Sequence, residues 1–268
     1  MRNALAALAA VVALVSGGAA HADTYLLEYN GRAYGVLGIG TVRMEVRLSA
    51  EQYTASVGLR SGGLLALFER TTLNAASAGG VVDGLPRWRS YVLDHAYSAK
   101  RRQIRMTAAD SGVEAVIEPT YRLWGDPATT AAQKAASRDP LASFVALGAS
   151  VAASRRCEGT FATFDGRFHY LLRLSGGRAD TLRSDAYRGP VLRCTLQYVP
   201  VAGFEAQDGG GSGRVPTGEM WFALTDDPGF APPLRVTVPL PLGEVGLYLS
   251  TLRRGSVALD GEMDVSAP

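Results

Sequence analysis

The stretch Thr41-Val42-Arg43-Met44-Glu45-Val46-Arg47-Leu48 alternates polar and apolar residues without a break. Side chains in an extended chain point to opposite faces at every step. Val42, Met44, Val46 and Leu48 therefore share one face while Thr41, Arg43, Glu45 and Arg47 share the other. A strand buried on one side and wet on the other belongs to an antiparallel sheet. The pattern recurs on either side. Tyr53, Ala55, Val57 and Leu59 alternate with Thr54, Ser56, Gly58 and Arg60, and Leu192, Cys194, Leu196 and Tyr198 do so with Arg193, Thr195 and Gln197. Leu234, Val236, Val238 and Leu240 make a fourth run. Turn chemistry separates such runs: Asn30-Gly31, Asp83-Gly84, Asp165-Gly166 and Asp260-Gly261, with Ser61-Gly62-Gly63 and Ser175-Gly176-Gly177. These are read as hairpin connections, which make neighbouring strands antiparallel. The fold class expected is all-β with one short helix, in a sheet of about ten strands.

The helix breaks the rhythm. From Asp139-Pro140 onward, Leu141, Phe144, Val145, Gly148 and Val151 follow helical spacing, predicting a helix over 140–152. Asp139 is placed to cap it, and Pro140 suits a first turn whose N–H has no partner in any case. Its apolar stripe is expected to pack into the concave side of a curled sheet. Residues 125–138 and 205–218 read as loops, the second containing Gly209-Gly210-Gly211-Ser212-Gly213.

Composition narrows the class. The chain has 268 residues, 47% hydrophobic and 19% charged, enough for a sizeable core and unlike a disordered protein. A net charge of +2 at pH 7 is too small for a nucleic-acid binder that works by neutralising phosphates. At the amino end, Arg2 precedes the apolar run Ala4–Val15, and Ala20 and Ala22 stand at the small-residue positions of an A-x-A site. Residues 1–22 are read as a secretory signal cut after Ala22, leaving 23–268 as one antiparallel domain. The alternative, a membrane anchor, needs about 20 apolar residues and the run is shorter. Lys100 and Lys134 are the only lysines among 27 basic residues, which with abundant Ala and Gly suggests a GC-rich bacterium. The expected location is then the periplasm, where disulfides persist. Cys157 and Cys194, the two cysteines, form a natural pair there, and Cys194 falls on a buried strand face. The other readings are two buried thiols or a redox couple, although a redox couple usually has the C-x-x-C spacing that this pair lacks.

Catalytic motifs are sparse. Gly148-Ala149-Ser150-Val151-Ala152 lacks the last glycine of a nucleophile elbow and lies within the predicted helix. His95 and His169 fall inside strand patterns and read as strand side chains. No metal-ligand spacing appears, Asp226-Asp227 belongs to an Asp-Asp-Pro-Gly turn, and Gly38-Ile39-Gly40 is only a fragment of a dinucleotide fingerprint. No cofactor or metal is expected. The charged runs Arg87-Trp88-Arg89 and Lys100-Arg101-Arg102 with Arg105 read first as the wet face of a strand pair, and second as a surface for an anionic partner.

Several landmarks in order carry a resemblance. They are a Tyr-rich first strand, Asp139-Pro140-Leu141-Ala142-Ser143, Cys157-Glu158-Gly159 with Phe164-Asp165-Gly166, Arg193-Cys194 followed by Ala202-Gly203-Phe204, and Pro232-Pro233-Leu234-Arg235-Val236. In this order they resemble the exported proteobacterial family labelled domain of unknown function 3108, from about residue 25 to 253, strongest over 157–204. The Gly-rich stretch 209–213 and the Ala-rich stretch before the helix depart from it. The resemblance implies a half-barrel or β-spiral like those of periplasmic lipoprotein carriers, and a family-typical Cys157–Cys194 pair. It carries no activity and no catalytic residues.

The functional expectation is a periplasmic, non-catalytic protein of the cell envelope that binds a lipophilic ligand or an envelope component. Leu141, Phe144, Val145, Val46, Val57 and Val236 are candidates for lining its site. An envelope protein-interaction or structural module is the alternative, and a glycan-acting hydrolase with paired carboxylates a more distant one. A lipid or an envelope protein is the partner expected, with no nucleic acid and no transmembrane anchor after signal removal.

Overall fold

The alternating runs become strands of a single antiparallel sheet. The computed structural model describes residues 21–63, 66, 69–205, 216–241 and 243–258. In chain order the elements are β1 (His21–Ala33), β2 (Leu37–Leu48), β3 (Gln52–Ser61), β4 (Thr71–Val82), β5 (Leu85–Tyr97), β6 (Lys100–Ala109) and β7 (Gly112–Glu118). Two helices follow, α1 (Ala131–Ala135) and α2 (Pro140–Ser154). The remaining strands are β8 (Gly159–Phe164), β9 (His169–Arg183), β10 (Arg188–Ala202), β11 (Gly218–Ala223), β12 (Pro233–Leu240) and β13 (Gly243–Ala258). The sheet has 13 strands where about ten were expected. Strands such as β4 escape a hydrophobicity pattern because Ala75, Ala76, Ser77, Ala78, Gly79 and Gly80 carry little of it.

The strand order is β7-β6-β5-β4-β3-β2-β1-β13-β12-β11-β10-β9-β8. Two meanders, β1–β7 and β8–β13, are thus joined at the middle by the first and last strands, with Leu27 opposite Leu252 and Ala33 opposite Val245. The ladder does not close between β7 and β8. Instead, the β8–β9 turn approaches β6 and β7: a Cβ on Gly166 would lie 3.0 Å from Ile104 and 3.5 Å from Ile117.

Helix α2 fills the centre. Asp139 caps it, its Oδ1 accepting from the N–H groups of Leu141 (2.8 Å) and Ala142 (3.0 Å). The helix ends at Ser154, where Arg155 takes a left-handed conformation, two residues beyond the expected span. The expectation of a single apolar stripe needs correcting. Leu141, Ala142 and Val145 pack with Tyr25, Leu27, Val46, Tyr53 and Tyr91, while Ala146, Leu147, Val151 and Ala152 pack with Phe161, Leu174, Leu192, Met220 and Phe222. The sheet curls around the helix and buries it nearly all round, so apolar residues are required on more than one face. Gly148 permits the closest approach. Ala231 N–H donates to its carbonyl at 3.1 Å, and a Cβ there would overlap the Phe230 ring.

Other corrections concern glycines and the loop before the helix. Asn30-Gly31 is not a turn but lies inside β1, where the register shifts at Gly31/Arg32; the turn is Tyr34–Val36. Ser175-Gly176-Gly177 lies inside β9, where the pairing with β10 skips Cys194 between Arg193 and Thr195. That is a bulge, and Gly176 and Gly177 supply its positive φ values of 72° and 122°. The stretch 125–138 contains α1, held by a Thr130–Gln133 capping box. Asp83-Gly84 and Asp165-Gly166 do turn hairpins, with positive φ at Asp83, Gly84 and Gly166. Asp260-Gly261 and the 209–213 glycines lie outside the described residues.

Cys157 and Cys194 form a disulfide across 37 residues, with Cα atoms 5.3 Å apart. It ties the segment before edge strand β8 to β10, passing over β9 at its glycine bulge. A Cβ on Gly177 would meet Cys157 Sγ at 3.4 Å. Among the described residues no helix is long and apolar enough to cross a membrane. The strand β1 starts at His21, so the cleavage expected after Ala22 falls within its first two residues.

Candidate functional site

A cleft lies where two hairpins face the segment that leads into α2. Its walls are the β4–β5 hairpin from Gly80 to Arg89, the β6–β7 hairpin from Ala108 to Val113, and residues Ala135–Arg138, around a half-open volume of about 930 Å³. Leu85, Pro86, Trp88, Ala108, Val113 and Ala136 supply apolar surface; Asp83, Arg87, Arg89 and Asp110 supply charge. Arg87 and Asp110, both exposed, stand 3.9 Å apart across the two hairpins.

The third wall is held from both ends of the sheet. Trp88 is buried, and its indole N–H donates to Ser137 O at 2.8 Å, while Arg138 Nε donates to Pro86 O at 3.1 Å. On the other side, the Arg138 backbone donates to Ala162 O and accepts from Phe164 N–H, both at 2.8 Å. Residues 137 and 138 therefore link β5 to β8 across the open side of the sheet. Burial lowers the Arg138 pKa, since a guanidinium half-removed from water loses hydration.

A polar network underlies this wall. Ser77 Oγ donates to Asp139 Oδ2 at 2.7 Å, and Tyr53 OH completes the chain to Ser77 at 2.8 Å. Burial raises the Asp139 carboxyl to about 6 from 3.8, against the lowering effect of its backbone and Ser77 hydrogen bonds. Asp165 is raised for the same reason, although its Oδ1 accepts from the Arg167 and Phe168 N–H groups. His169 Nδ1 lies 3.0 Å from Ser137 Oγ, and the Ser137 hydroxyl donates to Gln133 O at 2.7 Å. With that proton committed, His169 Nδ1–H is the donor of the pair. Burial lowers the His169 pKa, and the ring is tied to the 137 corner through the Ser137 hydroxyl.

The six candidate lining residues are not brought together in a cavity. Val46, Leu141 and Val145 are buried in the core on one side of α2, with Val57 packed against it. Phe144 touches both core clusters, and Val236 packs against the cluster on the other side. None of the six lines the cleft beside Trp88. The sequence marks part of this cleft, because Arg87-Trp88-Arg89 reads as a charged run. Ser137, Arg138, Asp83 and Asp110 were missed as site residues; only the Asp83-Gly84 turn signal pointed near them. Asp226-Asp227 forms the expected turn, but Asp227 is buried, accepting from Tyr25 OH and Gly229 N–H and pairing with Arg254 at 3.1 Å. Among the described residues no three His, Cys, Asp or Glu side chains gather as a metal site would require.

No family model matches the sequence, and no curated protein matches it. Among solved structures, the chain is similar to a beta-barrel-like protein of domain of unknown function 1849 from Brucella abortus. The TM-score is 0.51 at 11% identity, covering 87% of this chain and 97% of that one. At this identity the likeness is one of fold: a strongly curled, barrel-like antiparallel sheet.

Proposed function

We propose that the chain is an exported, non-catalytic binding protein of the cell envelope, released into the periplasm after Ala22, which holds a lipophilic ligand or an envelope component in the cleft beside Trp88. The observation that carries this reading is the cleft's construction. An apolar floor of Leu85, Pro86, Trp88 and Val113 under a rim of Asp83, Arg87, Arg89 and Asp110 suits an apolar chain with a polar end. Its volume of about 930 Å³ falls within the range of small-molecule sites. The centre of the sheet is taken up by α2, so the site moves from the concave middle to the end of two hairpins. The resemblance of the motif order to that of an exported family is what favours the envelope setting. Against hydrolysis, the carboxyls that burial raises, Asp139 and Asp165, are engaged by backbone N–H groups away from the cleft rim.

The test is native mass spectrometry on protein recovered from its own periplasm, with solvent extraction of what travels with it. A stoichiometric adduct of lipid mass is expected, lost when the exposed cleft residue Ala109 is filled by Ala109→Trp. A bare mass that persists after lipids are offered, in parent and variant alike, overturns the reading. An interaction module is the second reading, favoured by exposed apolar side chains elsewhere on the sheet.

A further inference from the structure

The two ends of the first meander differ in chemistry. At one end the turns between β2 and β3, β4 and β5, and β6 and β7 are short and polar, bearing Glu51, Asp83 and Asp110. At the other end the described residues flanking the β12–β13, β1–β2, β3–β4 and β5–β6 connections stand in a row. They are tied edge to edge: Tyr34 N–H donates to Glu244 O at 2.7 Å, Gly62 N–H to Ile39 O at 2.9 Å, and Ser98 N–H to Arg70 O at 2.9 Å. Large apolar side chains project from this row. Val36 is 81% exposed, Tyr34 46%, Leu37 43% and Leu240 36%. Set back from them are Arg32, Arg60, Arg70 and Lys100, all exposed and without an ion pair among the described residues. Exposed Arg101 pairs with Asp94. Glu69 and Glu244 are the acids beside them, so basic residues prevail.

We propose that this row of hairpin tips docks onto the surface of an anionic lipid bilayer, with Tyr34, Val36, Leu37 and Leu240 entering the headgroup–acyl boundary. The spacing fits. Strands rise about 3.3 Å per residue, so Arg32 and Arg60 lie on the order of 10 Å behind the Val36 apex. Interfacial segments sink about 5–10 Å, which leaves those guanidinium groups at the level of lipid phosphates. At the opposite end Asp83 and Asp110 are matched by Arg87 and Arg89, so the basic excess belongs to the apolar tips and turns them toward a negative surface. A second copy of the chain is a poorer occupant, because matched tips would oppose one set of basic residues with another. A protein partner would need separate pockets for side chains spread over neighbouring tips, whereas a bilayer accepts them without register. The proposal does not depend on what the Trp88 cleft holds.

The test is co-sedimentation of the full chain, in the processed form in which it is recovered, with phosphatidylglycerol–phosphatidylethanolamine vesicles and with phosphatidylcholine vesicles. Tighter binding to the phosphatidylglycerol vesicles is expected, weakening as salt rises from about 50 to about 500 mM. The double variant Val36→Asp/Leu37→Asp should lower the partition coefficient at least about tenfold, and Arg60→Glu/Arg70→Glu should remove the preference for anionic lipid. Val116→Asp, at an exposed site on β7, should leave binding unchanged. Thermal melts establish that each variant is folded. A folded Val36→Asp/Leu37→Asp protein that binds like the parent overturns the proposal. So does a parent that ignores both vesicle types, whether it then self-associates through these tips or captures an acidic protein with them.

Discussion

Asp139 is where one residue connects helix, sheet and pH. Its carboxylate caps α2 through two backbone N–H groups and accepts from Ser77, yet burial raises its pKa to about 6. The folded state therefore takes up a proton as pH falls through 6, while the unfolded chain waits until near 3.8. The stability this group contributes is full below the lower value and is lost as pH rises through the higher one. Asp139→Asn keeps an N-cap oxygen and removes the titration. Relative to the variant, the parent should gain about 2 kcal/mol as pH drops from 7 to 4, read from denaturant melts at each pH. Asp139→Ala should cost about 2 kcal/mol at pH 7, because two helix N–H groups lose their acceptor. The cap itself was legible, since Asp stands before Pro140. Its partners were not, because Ser77 is 62 residues away and nothing local announces a long-range hydrogen bond.

At the scale of elements, β8 and its neighbours show both what periodicity reveals and where it misleads. Alternation places strands and faces well, and the helix start was read to the residue. Glycine pairs were harder: Asp83-Gly84 turns a hairpin, while Ser175-Gly176-Gly177 bends a strand that continues. Positive φ serves both, and only the partner strand tells them apart. The bulge has a physical role, because it lies under Cys157 where the disulfide crosses β9. Removing the bridge with Cys157→Ala/Cys194→Ala frees a closed loop of 37 residues and should cost at most about 4 kcal/mol. The loss should be local in its dynamics. Amide exchange should quicken in β8 and residues 155–158, with β1–β5 hardly changed; uniform quickening would mean that the bridge supports the entire sheet.

For the whole molecule, hydrophobic pattern gave each strand a face but no neighbour. The six apolar candidates accordingly pack inward without forming one set: three lie on the enclosed helix, Val46 and Val57 pack on one side of it and Val236 on the other. The half-open cleft beside Trp88 was hidden for the same reason, since its walls come from two hairpins and a bridge between sheet ends. The expected barrel-like curl is present, with β7 and β8 left unpaired and Ser137 and Arg138 linking β8 to β5 instead.

The pairing of β1 with β13 also sets an order of events in time. His21 lies opposite Ala258, so the central joint of the sheet is made between strands at opposite ends of the described chain. Each meander can condense from nearby hairpins, but they unite only when the last strand arrives, and loop closure over so long a span is slow. A circular permutant that joins Ser256 to Asp23, its partner across the ladder, through a two-residue Asn-Gly turn, and opens between exposed Arg122 and Leu123, makes every neighbouring strand pair consecutive. It should refold about tenfold faster in stopped-flow experiments while keeping the same sheet. Equal rates would place the slow step elsewhere. In the natural order, β1 spends the early life of the chain with one edge unpaired, and the last strand to be made is the one that covers it.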